Sequence, residues 1–228
     1  KHGVMGLVDA VSSLGIEYFD IDDYPALVAW ASCPQKGILC LPLTYAPVSF
    51  KQKAIEVVIK RGCRTYGHHP ILEARHWGIV NGEDAAPTYH RTHSCYSVAA
   101  FHEALRILLT HGREKKATDY AYHEKALHQA VKEMGCKVTS NMTSLVVFNL
   151  TGKLTGKEKE IVAVCREQNF GIWTTLSDPP QIRIGILNQL SENAITEIVE
   201  RFADTMLKLG GDFSKDNVMK GLADYYSI

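Results

Sequence analysis

Residues 31–38 read "ASCPQKGI", and the fold turns on what Lys36 does there. Upstream lie "GLVDAVSSLG" (residues 6–15) and "ALVAWA" (26–31), and downstream lies "ILCLPLTYAPVSF" (38–50). A lysine set among apolar runs is rarely buried without a partner or a chemical task. Gly3 to Ala10 and Ala26 to Ala31 both read as short, buried strands of the parallel type. Asp9 closes the first and Lys36 follows the second. An acid and a lysine at the ends of adjacent parallel strands occupy the edge where α/β sheets hold their ligands. Each residue also has a plainer reading: Asp9 as a turn or capping acid, Lys36 as a surface residue of a Gly-flanked turn. The remainder of the chain decides between them.

Composition narrows the field. The chain has 228 residues, 46% of them hydrophobic, enough for a packed core. Its formal net charge is zero, which removes the general electrostatic case for nucleic acid or an anionic membrane. No apolar run approaches the roughly 20 residues of a bilayer span. The six cysteines (Cys33, Cys40, Cys63, Cys95, Cys136, Cys165) form no C-x-x-C pair, so neither a zinc site nor a disulfide framework is indicated. Reduced thiols suit the cytoplasm or an organelle matrix, and no metal site is expected. Gly67-His68-His69-Pro70 reads as a turn, without an acid or histidine nearby to complete a ligand set.

Along the chain, Ile38–Leu43 and Tyr45–Phe50 read as edge or irregular strands, given Pro42 and Pro47. Lys51 to Arg61 has helical spacing, with Ala54, Val57 and Val58 on one face. Gly62 to Pro87 reads as a connection. Ser94 to His111 and about Thr118 to Met134 read as helices, the second stopped by Gly135. Then come a strand at Thr143–Leu150, a capping box Thr155-x-x-Glu158 opening a helix to about Gln168, and strands at Phe170–Leu176 and Gln181–Leu187. Ser191 caps a last helix ending near Leu209. The block from Val138 to Leu209 has the pattern of a compact α+β domain, and in its "QIRIGIL" an arginine, Arg183, is suited to a bidentate grip on a carboxylate.

Taken together and in order, these stretches resemble the class V, fold-type I pyridoxal-phosphate aminotransferases, near the alanine–glyoxylate and serine–pyruvate branch. "GLVDAVSSLG" is similar to the family strand that carries the acid beneath the pyridine ring, and "QKGI" to the turn that carries the Schiff-base lysine. "YHRT" (residues 89–92) is similar to the family's Y-H-x-T stretch, and "RIG" (183–185) to its carboxylate-binding strand. The resemblance implies pyridoxal 5'-phosphate as cofactor and Lys36 as the catalytic lysine. It further implies Asp9 at the pyridine nitrogen, Val11 against the ring, and Gln35 on the phosphate. Tyr89 and Thr92 would reach the phosphate of a neighbouring subunit, and Arg183 would bind the substrate carboxylate. The reaction implied is transfer of an amino group between a small amino acid and a small 2-oxo acid such as glyoxylate or pyruvate. A lyase or desulfurase on the same scaffold shares the lysine chemistry, and a non-catalytic partner-binding subunit is the alternative of another class.

The pattern departs from the family in places. Cys33-Pro34 precedes Gln35, Leu41-Pro42-Leu43-Thr44 replaces a Pro-Pro-Gly stretch, and His93-Ser94 stands where a proline follows the threonine. The family's N-terminal half supplies a Gly/Ser phosphate loop and a ring-stacking aromatic residue, and Gly62, Gly67 and Gly78 build no such loop. The expected architecture is α/β: residues 1–115 as the later part of a large, mostly parallel-sheet domain, 116–137 as a connecting helix, and 138–228 as an α+β small domain. The chain opens without Met or signal peptide, as if within a fold. The expected partner is a complementary polypeptide carrying the N-terminal half, in an α2β2 particle or nicked homodimer.

Overall fold

The computed structural model describes residues 4–42, 45–78, 88–188 and 190–227. The fold divides into two compact units. Unit 1 comprises residues 1–14 and 19–107, and unit 2 comprises residues 15–18 and 108–228.

Unit 1 is built on a three-stranded sheet in the order β1 (Gly6–Asp9), β2 (Leu27–Ala31), β3 (Val48–Phe50). β1 and β2 run parallel and pair Asp9 with Ala31, while β2 and β3 run antiparallel. Both strands before the lysine form where the consecutive apolar residues predict them, but only β2 is buried as expected; β1 has no buried residue, and its Leu7 is exposed. A Cβ at Gly6 would lie 2.5 Å from Leu27 Cδ2, so the Leu27 side chain would have to move to admit one. Two helices, α1 (Gln52–Arg61) and α2 (Pro70–His76), follow, and α3 (Cys95–His111) crosses the division between the units.

Three expectations are corrected here. Residues 34–41 form a closed turn rather than a strand: the Cys40 amide donates to Lys36 O at 3.0 Å, and the Leu41 amide to Pro34 O at 3.1 Å. Leu39 and Cys40 both have φ of 52°, a left-handed conformation that no strand contains. Only residues 48–50 of the expected Tyr45–Phe50 strand pair. The Gly62–Pro87 connection contains α2, whose start is marked by His69 accepting the Leu72 amide and by Pro70 in the first turn. Gly3, Leu43, Thr44 and residues 79–87 lie outside the described residues.

Unit 2 packs helices on a four-stranded antiparallel sheet. Its strands are β4 (Lys137–Val138), β5 (Leu145–Asn149), β6 (Trp173–Thr174) and β7 (Ile182–Gly185), in the spatial order β4-β5-β7-β6. The helices are α4 (Arg113–Glu133), α5 (Glu158–Glu167), α6 (Glu192–Lys208) and α7 (Lys215–Tyr226). Alternation along β5 and β7 sends Val146, Phe148, Ile182 and Ile184 into the core against Ile161, Ile195, Val199 and Phe202. Phe148 and Phe202 meet edge to face, 5.7 Å between ring centroids, a favoured aromatic geometry. Ser191 caps α6 as expected, accepting the Ala194 amide at 3.2 Å. The Thr155 capping box is not formed: Thr155 closes a 3-10 turn, and α5 begins at Glu158 without a side-chain cap.

α7 was not expected, because Gly221 interrupts its apolar spacing. A Cβ at Gly221 would lie 2.6 Å from both Glu133 carboxylate oxygens at the end of α4, so that exposed side chain would have to swing aside.

Candidate active site

Asp9 and Lys36 follow the carboxyl ends of adjacent parallel strands, so the sheet brings both to one edge. Asp9 is exposed, and its Oδ1 accepts the Val11 amide at 2.9 Å. That bond bends the chain into the turn 11–16 and leaves the second carboxylate oxygen without a partner among the described residues. Val11 is half-buried in this turn, and so is Ser12. The Lys36 side chain reaches back to it, Nζ donating to Ser12 Oγ at 2.7 Å. Buried Ser32 ties the two strand ends together, its hydroxyl donating to Ala10 O at 2.8 Å. Gln35 is exposed beside the lysine. The left-handed pair Leu39 and Cys40 lies directly beyond, and such conformations cost about 1–3 kcal/mol each unless the surroundings enforce them.

Tyr89 and Thr92 lie elsewhere in unit 1. Tyr89 is 71% exposed, and the two hydroxyls converge at 2.6 Å. Beside them is a pocket of about 670 Å³ lined by His76, Trp77, Tyr89, Arg91, Thr92, His93, Cys95, Val98, Ala99, His102 and Glu103. None of Asp9, Ser12 and Lys36 lines it.

Arg183 belongs to unit 2, exposed in β7 between buried Ile182 and Ile184. It stands opposite Val147 of β5 and Trp173 of β6. The Arg166 guanidinium covers the Trp173 ring at 5.0 Å. Among the described residues no carboxylate pairs with Arg183.

Sequence reasoning missed two groups here. Ser12 was read only as part of the strand-end motif, though its position three residues past Asp9 puts it in the turn. Glu73 was lost in the supposed connection, where Pro70 followed by an acid could have signalled a helix start. Its Oε2 lies 3.1 Å from Arg91 Nε and 3.4 Å from His90 Nε2, and its Oε1 lies 2.9 Å from His93 Nε2. Burial raises the Glu73 carboxyl, but the Arg91 hydrogen bond and charge, the Trp77 indole N–H and His93 outweigh it and hold the group below its ordinary range.

All six cysteines are free thiols. Cys136, deep in unit 2, is pushed up to about 12 by burial and stays protonated. Among the described residues no cluster of three or more His, Cys, Asp or Glu could hold a metal, and no helix is long and apolar enough to cross a membrane.

No family model and no curated protein matches the chain. Solved structures do. The ureidoglycine–glyoxylate aminotransferase of Bacillus subtilis superposes with a TM-score of 0.85 at 18% identity, over 98% of this chain and 58% of its own. The fold is that of the fold-type I aminotransferases. Pyridoxamine–pyruvate aminotransferase of Mesorhizobium loti gives a TM-score of 0.82 at 16% identity, over 99% of this chain and 58% of its own. Alanine–glyoxylate aminotransferase of Nostoc sp. gives 0.76 at 20% identity, over 90% and 53%. The chain thus spans little more than half the length of these fold-type I structures, and the α/β expectation holds.

Proposed function

We propose that the chain is the later portion of a pyridoxal-phosphate-dependent aminotransferase, acting on a small amino acid and a small 2-oxo acid. The observation that carries this reading is the strand-end pair: Asp9 and Lys36 at one sheet edge, with Lys36 Nζ reaching the turn after Asp9. The residues fit the cofactor. Asp9 offers an open carboxylate oxygen for a protonated ring nitrogen, and Lys36 offers a half-buried amine. Tyr89 and Thr92 offer converging hydroxyls for phosphate oxygens, by the family resemblance those of a neighbouring subunit. Pyridoxal phosphate, when bound, supplies the carbonyl that exchanges with amines and the electron sink for breaking a bond at the substrate Cα.

Lys36 Nζ would hold the cofactor and move the proton at the substrate Cα. Ser12 Oγ receives the Nζ hydrogen bond when the amine is free. By the family resemblance Asp9 would hold the protonated ring nitrogen, Val11 would contact the ring and Gln35 would bond the phosphate. Arg183 binds the substrate carboxylate in a charge-assisted, bidentate manner.

The remainder of the fold, in a second polypeptide or another part of the same one, completes the sheet. Leu7, Phe50 and Val48 share one face of it and are 77%, 39% and 54% exposed. β1 has no strand on its outer edge among the described residues. Open apolar edges and faces are covered in stable proteins, which supports a complementary partner and an α2β2 or nicked-homodimer assembly. Six free thiols support a reducing compartment, cytoplasm or organelle matrix.

The test is borohydride reduction of the assembly with pyridoxal phosphate, followed by peptide mapping. The pyridoxyl group is expected on Lys36; a label on another lysine would overturn the assignment.

A further inference from the structure

The segment that carries Tyr89 and Thr92 is an irregular strap, with no strand or helix from residue 88 to 94. An irregular segment can present two hydroxyls in fixed geometry only if something else holds it. Three of its residues, two of them turned inward, converge on one carboxylate. His90 is 4% exposed and Arg91 and His93 flank it, and all three approach Glu73 of α2 at the distances given above. Arg91 Nε and Trp77 Nε1 supply the aligned hydrogen bonds, at 3.4 and 3.3 Å to Oε1. The imidazoles add contacts at ion-pair distance that lack hydrogen-bond alignment. α2 also fixes the strap backbone, since the His90 amide donates to His76 Nδ1 at 3.0 Å. From the other side the Tyr66 hydroxyl donates to His90 O at 3.0 Å.

We propose that Glu73 is a positioning residue: it ties His90, His93 and the exposed Arg91 to α2 and so holds Tyr89 and Thr92 outward as a preformed receptor for phosphate oxygens. This rests on the reading of the chain as a pyridoxal-phosphate enzyme. Preorganisation matters because hydroxyls that must be ordered on binding return less affinity.

The test uses Glu73→Gln, which keeps the shape and removes the charge, with Arg91→Ala as a second variant that spares α2. In the chain itself, amide hydrogen exchange of residues 88–93 is expected to quicken in both variants. Exchange in β5 and β7 should stay as in the parent, which shows that the chain remains folded. In the assembly, pyridoxal phosphate is expected to bind about tenfold more weakly or worse to Glu73→Gln, as small misplacements of contact groups do. Binding of unphosphorylated pyridoxal should be unchanged. Unaltered exchange of 88–93 in both variants overturns the hub. Faster exchange with an equal loss for pyridoxal and its phosphate overturns the link to phosphate. A parent assembly that takes up no pyridoxal phosphate contradicts the functional reading instead, and the exchange result still decides whether Glu73 holds the strap.

Discussion

Unit 2 and unit 1 solve the problem of burial differently. Unit 2 buries Phe148, Phe202, Ile161 and Ile195 in one continuous core, with residue 16 adding its side chain to it. In unit 1 the largest fully buried aliphatic side chains are Ile38 and Val28, while Leu7, Val48, Phe50 and Tyr96 stand exposed. The chemistry-bearing residues Asp9, Lys36, Tyr89 and Thr92 all lie in the second kind of environment. The continuous core lies in unit 2, and these reactive groups lie in the unit whose sheet is open.

The hardest blow to that contrast would come from Phe148→Ala. Truncating a buried aromatic residue should cost about 3–5 kcal/mol, read by urea denaturation of the full chain. Phe50→Ala on the open sheet should cost less than about 1 kcal/mol, as partly exposed substitutions do. Equal costs would mean that unit 1 is as tightly packed as unit 2.

Arg183→Ala sharpens the contrast, because this residue sits in the packed unit but on its exposed face. Binding of a small 2-oxo acid to the assembly should weaken by about 1.5–3 kcal/mol, the value of a hydrogen bond to a charged group. The denaturation midpoint should hardly move. A loss of stability without loss of binding would make Arg183 a structural residue.

What could be read from the sequence follows the same line. In β1 and β2 consecutive apolar residues marked the strands, though only β2 is buried, and in α6 Ser191 stood at the right place for a cap. The Ile38–Leu43 run failed because Ile38 to Leu41 lie inside a turn closed on Lys36 O and Pro34 O, a constraint that hydrophobicity does not register. Thr155 failed because an intervening 3-10 turn shifted the start of α5. α7 was hidden by Gly221, which interrupts the apolar spacing. In the site, Asp9, Lys36 and Arg183 were legible as types at strand ends and in a strand. Glu73 was not, since its partners are 17 to 20 residues away along an irregular path and only tertiary structure joins them.

Smaller effects test unit 2 further. Ser191→Ala should cost about 1 kcal/mol through the lost cap, measured by thermal unfolding. Below that lies a pH effect. Burial lowers His123 from its ordinary 6.5, against the opposing charges of Glu192 and Asp119; burial and Lys132 lower His128 as well. A histidine lowered in the folded state stabilises fully above 6.5, and the contribution is lost as pH falls through the folded value. The melting temperature of unit 2 should therefore drop modestly between pH 7.5 and 5.5, and less so in His123→Gln. Burial raises Glu124, which acts in the opposite direction and only at lower pH.

Hydrogen exchange read by mass spectrometry on the chain alone tests the contrast most directly, since local protection reports local opening. Amides of β5, β7 and α6 should stay protected for long times, and those of β1, β2 and β3 should exchange far sooner. Addition of the complementary portion of the fold should then protect β1 to β3 selectively. Equal protection of β1 and β5 in the chain alone would contradict the account.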